Sequence, residues 1–217
     1  MNSIPVFDAY SRYYDLLYQD KDYDGEVDYI DSLLRKYKTP GNDLLEFGSG
    51  TGKHGRLLIE KGYNITIIDS LITGNKKVIP KKANLEICDI GNKTKIKKIL
   101  KKEKFSAVLH FAGLIRVDES VKYPKKYMEY NYKKSKVFIE TCIKNGLDKI
   151  IFSSTGSVYG NVNKENILET DETKPINPYS ESKLKFEKYL ESFIAKIQNY
   201  KLRSKVDVME NKNIYSI

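Results

Sequence analysis

One stretch constrains the fold more than any other. Leu44-Leu45-Glu46-Phe47 is a short apolar run that opens directly into Gly48-Ser49-Gly50-Thr51-Gly52-Lys53-His54-Gly55. Arg56 to Lys61 then carries a helical pattern, and Ile65 to Ile68 is a second apolar run ending at Asp69. Glycines between a strand and a helix let the backbone turn tightly and approach a ligand without a Cβ clash. The helix start beyond them offers free N–H groups to an anion. An acid closing the next strand is placed to accept hydrogen bonds from ribose hydroxyls. Gly50-x-Gly52-x-x-Gly55 has the spacing of dinucleotide-binding loops, and the flanking strand, helix and acid give that spacing its weight. The unit predicts a ligand containing adenosine; the alternative is a glycine turn that holds no ligand.

The alternation continues along the chain. Val27, Ile30, Leu33 and Leu34 recur at helical spacing within about 26–37, before Thr39-Pro40-Gly41-Asn42 breaks the pattern. A third strand is predicted at 85–88, a basic helix at 94–104 and a fourth strand at 107–110. A long helix at 127–145, a fifth strand at 149–153 and a final helix at about 180–197 complete the series. Strands alternating with helices imply a parallel sheet covered on both faces, with right-handed crossovers. The predicted fold class is α/β, a Rossmann-like doubly wound parallel sheet in three α/β/α layers. One nucleotide-binding domain is predicted over 1–197, with a polar tail over 198–217 that shows no period. Its ligand belongs at the carboxyl ends of the strands, at the switch point.

Composition narrows the function classes. The 217 residues carry 38 basic and 29 acidic side chains, a net charge of +9. Only five of the basic residues are arginine (Arg12, Arg35, Arg56, Arg116 and Arg203), and the lysines are scattered over predicted helix faces. Specific nucleic-acid recognition favours the arginine fork, so no specific nucleic-acid partner is expected. No apolar run is long enough to cross a bilayer, and MNSIPVFDAYSRYYD lacks a basic stretch followed by an apolar one. No membrane segment and no signal peptide are expected. Two cysteines, Cys88 and Cys142, stand far apart, which excludes a disulfide scaffold and makes a reducing, cytoplasmic setting the expectation. Two histidines and no paired acidic cluster predict no metal site.

Two resemblances add to this reading. FDAYSRYYDLLY followed by LLEFGSGTGKHGRLLIEKGYNITIID, about residues 7–69, resembles the start of a class I S-adenosylmethionine-dependent methyltransferase. That resemblance implies that Glu46, Gly48, Gly50 and Gly52 hold the methionine part of the cofactor and Asp69 its ribose. Tyr10, Tyr14 and Tyr18 would form a covering segment, or simply pack an N-terminal helix.

From Asp69 onward the chain resembles the extended short-chain dehydrogenase/reductase family, in its NAD-dependent epimerase/dehydratase branch of the UDP-glucose 4-epimerase type. DSLITGNKK, EICDIGNK, FSAVLHFAGLI, ESVKYP, YNY, KIIFSSTGSVYG and NPYSESK follow in the family's order over about residues 69–193. The resemblance implies NAD as cofactor and a nucleotide sugar as partner. Tyr179 and Lys183 form Tyr-x-x-x-Lys, neighbours on one helix face. A free phenol, with pKa near 10, is a poor base at neutral pH, and a nearby ammonium favours its phenolate. Tyr179 would take the proton of a sugar hydroxyl, Lys183 would hold the nicotinamide ribose, and Thr155 would hydrogen-bond the reacting hydroxyl. Asp89 and Ile90 would flank the adenine. Phe111, Ala112 and Gly113 would run along the cofactor, with Asn131 and Ser153 among its contacts. Gly48, Gly50, Gly52, Gly55 and Asp69 complete the implied cofactor site. Helices around 122–145 and 178–197 would pair in a homodimer.

The chain departs from that family in several places. Its loop is not G-x-x-G-x-x-G. Ile115-Arg116 stands where the family has a cofactor-contacting lysine, and Lys133-Lys134-Ser135 where it has small residues. No counterpart of the family's C-terminal, sugar-holding lobe is visible in 199–217. The sequence therefore predicts a hybrid joined at Asp69: an NAD-binding, epimerase-like chain with weak or no turnover. An S-adenosylmethionine-binding protein and a non-catalytic hybrid fragment are the alternatives.

Overall fold

A computed structural model describes residues 21–37, 39–72, 74–163, 166–199 and 206–209. Tyr10, Tyr14 and Tyr18 lie outside the described residues. Helix α1 (Tyr23–Lys36) is capped at its N-terminus by the Asp22 carboxylate, which accepts from the Gly25 N–H. Strand β1 (Asp43–Phe47), helix α2 (Lys53–Glu60) and strand β2 (Asn64–Asp69) form the first crossover unit. Then come β3 (Asn84–Ile87), α3 (Lys93–Lys102), β4 (Ala107–His110) and α4 (Val117–Lys122). The short helix α5 (Pro124–Tyr127) runs through a π-helical turn (Met128–Lys134) into α6 (Ser135–Lys144). Strand β5 (Ile150–Ser153), α7 (Pro178–Asn199) and β6 (Val206–Met209) end the described chain.

The strands make a single sheet in the order β3-β2-β1-β4-β5-β6, and every pairing in it is parallel. This is the doubly wound order, which reverses between β1 and β4. The near-continuous apolar runs of β1, β2 and β5 follow from burial on both faces. One face packs Val27, Ile30, Leu33 and Leu34 of α1 and Leu58 of α2 against Leu44, Ile65, Ile67 and Leu109. The other packs Ile96 and Ile99 of α3, Phe138, Ile139 and Cys142 of α6, and Phe186 and Leu190 of α7 against Leu45, Phe47, Ile68 and Phe152. Both cysteines are buried free thiols. Among the described residues, no helix is long and apolar enough to cross a membrane, and no group of metal-ligating side chains gathers.

Two expectations need correction. The sheet does not end at β5, because Val206–Met209, within the polar tail expected over 198–217, adds a parallel edge strand. The helix expected at 127–145 is interrupted by the π-helical turn, which turns Asn131 into the interior, where it is 2% exposed.

Candidate functional site

The carboxyl ends of β1, β2, β4 and β5 carry the residues singled out by sequence. After β1, Gly48, Gly50 and Gly52 all adopt positive φ, at 75°, 54° and 74°. That backbone region strains any residue with a Cβ, which is why this turn is built from glycine. The three glycines play different parts. A Cβ on Gly48 would lie 2.4 Å from the Ala112 backbone, so the loops after β1 and β4 press together at the switch point. A Cβ on Gly52 would lie 2.1 Å from the Val78 carbonyl oxygen, so Gly52 is needed for packing. A Cβ on Gly50 would meet nothing within 4 Å, which leaves that turn open to a ligand. Gly55, inside α2, makes room for the Glu46 side chain: its Cβ would fall 2.6 Å from Glu46 Oε2.

Asp69 closes β2 with its carboxylate turned back on the loops, accepting the Leu71 N–H at 2.7 Å and the Ser49 N–H. Burial is the largest influence on it and holds its pKa above the ordinary carboxylate value. Asp89, after β3, accepts the Gly91 N–H at 2.7 Å and pairs with Lys134 Nζ at 2.7 Å. Lys134 in turn lies over the Tyr130 ring at 3.9 Å. Ile90, expected to border a ligand, belongs to the core beside Cys88 and Ile96. Phe111 is half-buried and stacks near the His54 ring at 5.1 Å.

On the other side of the switch point, Lys183 is 3% exposed. Its Nζ donates to the Ser153 carbonyl at 2.9 Å and lies 4.8 Å from the Phe152 ring centre. Burial lowers its pKa to about 8, against the field of Glu187, which raises it. A Cβ on Gly113 would come within 3.3 Å of Lys183 Nζ and 3.2 Å of Asn131 Oδ1, so these three meet in one place. Tyr179, one turn earlier on α7, sits edge-on to Tyr127 with ring centres 6.4 Å apart. Thr155 is buried at the start of a 3₁₀ turn, where its Oγ1 accepts the Ser157 N–H at 3.3 Å.

Asn131 holds the loop after β4. Its Oδ1 accepts the Leu114 N–H at 2.7 Å. Its Nδ2 donates to the Leu114 carbonyl at 2.9 Å and to Ser182 Oγ at 3.1 Å. The amide thus pins the 111–114 loop to the helix. His110 is wholly buried, with neither ring nitrogen hydrogen-bonded. Its ring is boxed edge-on by Phe47, Phe138, Phe152 and Phe186.

Sequence reasoning missed three contributors: Lys134 as the partner of Asp89, the His54–Glu26 pair at 2.7 Å, and Glu187, which takes a hydrogen bond from Ser154 Oγ. Each joins side chains from separate elements, and the spacing of one element does not encode such a contact. The exception is Glu187, which follows Tyr179 and Lys183 at i+8 and i+4 on the same helix face.

Several known proteins resemble this chain in sequence and fold. A UDP-glucose 4-epimerase of Lacticaseibacillus casei is 36% identical over 143 residues, 66% of this chain and 42% of that protein. The UDP-glucose 4-epimerase of Thermotoga maritima, solved with UDP-glucose, superposes with a TM-score of 0.68 at 32% identity, over 76% of this chain and 54% of that one. The Brucella ovis UDP-glucose 4-epimerase in complex with NAD gives a TM-score of 0.71 at 28% identity, over 78% and 51%. The chain thus spans about two fifths of that curated relative and about half of the solved ones. The family match begins at residue 50, inside the glycine loop, and so reaches further toward the N-terminus than the sequence motifs from Asp69 onward had suggested. Over residues 50–203 the chain matches the NAD dependent epimerase/dehydratase family, and it belongs to that family.

Proposed function

We propose that this chain is the NAD-binding portion of a sugar-nucleotide epimerase of the UDP-glucose 4-epimerase type. The observation that carries the reading is Lys183. A lysine held almost fully inside the protein, with its amine fixed on the carbonyl that ends β5, costs stability, and such costly buried groups cluster at ligand sites. It stands one helical turn from Tyr179 and beside the Gly113 loop, at the crevice where doubly wound sheets take dinucleotides.

The residues present suit that cofactor. Gly50 leaves open backbone for a pyrophosphate at the start of α2, and Asp69 offers a carboxylate for ribose hydroxyls. NAD, when bound, supplies the hydride acceptor. Tyr179 takes the proton of the sugar hydroxyl, Lys183 stabilises the phenolate and holds the nicotinamide ribose, and Thr155 orients the hydroxyl. Asn131 keeps the Phe111–Gly113 loop against the cofactor by way of Leu114. A sugar nucleotide such as UDP-glucose is the substrate class. The protein is read as cytoplasmic, and a homodimer through helices around 122–145 and 178–197 as its assembly.

The S-adenosylmethionine reading is set aside. It needs Glu46 at the ligand, whereas the Glu46 carboxyl is fully buried against α2. The experiment is calorimetric titration with NAD and S-adenosylmethionine in parallel. Heat with NAD, at least tenfold weaker affinity in Asp69→Ala, and none with S-adenosylmethionine is the expected result. No heat with NAD up to millimolar concentration overturns the proposal. If turnover is measurable, Tyr179→Phe abolishes it while leaving NAD affinity within about threefold.

A further inference from the structure

Glu187 is assigned no part in the function proposed above, yet it lies where three elements of the site meet. On α7 it follows Lys183 by four residues and Tyr179 by eight, so the three side chains occupy one stripe of the helix. Its carboxylate accepts the hydroxyl of Ser154. Ser154 stands between Ser153, whose carbonyl receives the Lys183 amine, and Thr155. The helix and the turn after β5 are therefore joined twice, once through Lys183 and once through Glu187.

Lys183 needs a counter-charge. It is nearly devoid of solvent, and Glu187 apart, the groups around it carry no negative charge. From β5 it meets the Phe152 ring and the Ser153 carbonyl. From the loop after β4 it meets Gly113, beside the neutral amide of Asn131. From β4 comes His110, which burial keeps neutral and whose own protonation the Lys183 charge further opposes. From its own helix come the Tyr179 phenol and Glu187, and the field that opposes the loss of the Lys183 proton is that of Glu187.

We propose that Glu187 is a positioning residue: its carboxylate anchors the Ser153–Thr155 turn through Ser154 and balances the Lys183 ammonium, and through that ammonium it prepares the Tyr179 phenol. This rests on the reading of Tyr179 and Lys183 as the cofactor-side pair. The consequence follows from the sign of the interaction. Without the carboxylate, burial acts on Lys183 unopposed, and the amine loses its proton at a lower pH. Near neutrality the site would then hold an uncharged amine, which neither favours a phenolate nor serves as a cationic donor to the ribose.

The test follows the Lys183 side-chain nitrogen by NMR in the ligand-free, 15N-lysine-labelled chain, its resonance identified by its loss in Lys183→Arg. The native midpoint is expected near 8. In Glu187→Gln, which keeps the shape and removes the charge, the midpoint is expected to fall by about one to two pH units. In Ser154→Ala, which keeps the charge, it is expected to stay within about 0.5 unit of native on the same scale. NAD affinity measured across pH should then be about tenfold weaker in Glu187→Gln at pH 8 and come back to within about twofold of native at pH 6, where half or more of the variant carries the ammonium. A midpoint unmoved in Glu187→Gln overturns the inference, as would befit a merely structural glutamate. Should that variant not fold, Glu187→Asp, with its charge withdrawn by one methylene, must lower the midpoint for the inference to stand. Failure of the cofactor reading is distinguishable, since native protein would then bind no NAD while the midpoint shift persists.

Discussion

Three buried ionisable side chains, Glu46, His110 and Lys183, set how this chain responds to pH. The Glu46 carboxyl is fully buried, with both oxygens lacking hydrogen-bond partners, and burial, aided by the Asp69 charge, raises its pKa from 4.5 to about 8. Between those values the folded chain holds a proton that the unfolded chain has released. Stability therefore falls as pH rises from about 4.5 to about 8, at roughly 1.4 kcal/mol per unit where the two states differ by a whole proton. His110 works the other way. Burial lowers its pKa from 6.5 to about 3, so below about 6.5 the unfolded chain gains a proton that the folded chain refuses, and stability falls on acidification. Lys183, lowered to about 8, adds no slope below that pH. The Glu46 and His110 slopes oppose each other between about 4.5 and 6.5, and denaturant unfolding should find a plateau there. Glu46→Gln is expected to flatten the decline from pH 6.5 to 8 and to uncover the acid slope. His110→Phe, which keeps the edge-on contacts with four phenylalanines, should do the reverse. Unchanged pH profiles in both variants would show that neither group titrates as its burial requires.

At the scale of the element, the glycine loop separates packing from binding. Gly50→Ala places a methyl group in open space at φ 54°, so its cost to folding is the left-handed strain alone, roughly 1–2 kcal/mol. The same methyl group stands where a pyrophosphate would approach, and NAD affinity is expected to fall at least tenfold. Gly52→Ala drives a methyl group into the Val78 carbonyl, and the backbone of 76–80 or the start of α2 must move. Its unfolding midpoint should drop well below that of Gly50→Ala. Equal stability losses in the two variants would contradict the division of labour. The loop was legible because glycine spacing is a local signal, and so were strands β1 to β5, whose short runs are mostly apolar. The π-helical turn was not. Its residues, Met128–Lys134, carry ordinary helical patterning, and what places Asn131 inside is a bond to Leu114 on another loop. The same holds for Lys134, whose sequence neighbours give no sign of Asp89.

For the whole molecule, order along the chain fixes order in the sheet, because each crossover helix returns the next strand parallel to the last and the direction of winding reverses once. That is why a doubly wound parallel sheet with its ligand at a switch point could be anticipated from alternation, while the order β3-β2-β1-β4-β5 and the place of that switch between β1 and β4 came from the structure. Strand β6 escaped because a four-residue edge strand, VDVM, has too few positions for a period to show. The cofactor site proposed above has two wings, Gly48–Gly52 and Asp69 on the left and Gly113, Tyr179 and Lys183 on the right. A dinucleotide is the kind of molecule that bridges two such wings, and bridging has a thermodynamic signature. A ligand that binds only the folded chain stabilises it by about 2.7 kcal/mol at one hundred times its dissociation constant. In a domain of this size that corresponds to a rise of roughly 5–10 °C in Tm. NAD is expected to give such a rise, whereas AMP, which reaches the left wing alone, and nicotinamide mononucleotide, which reaches the right wing alone, should each give less than half of it at equal concentration. Asp69→Ala should abolish the AMP response and leave that of nicotinamide mononucleotide, and Lys183→Met the converse. If AMP alone reproduces the full NAD shift in native protein, only the left wing binds, and Tyr179 and Lys183 do not face a nicotinamide.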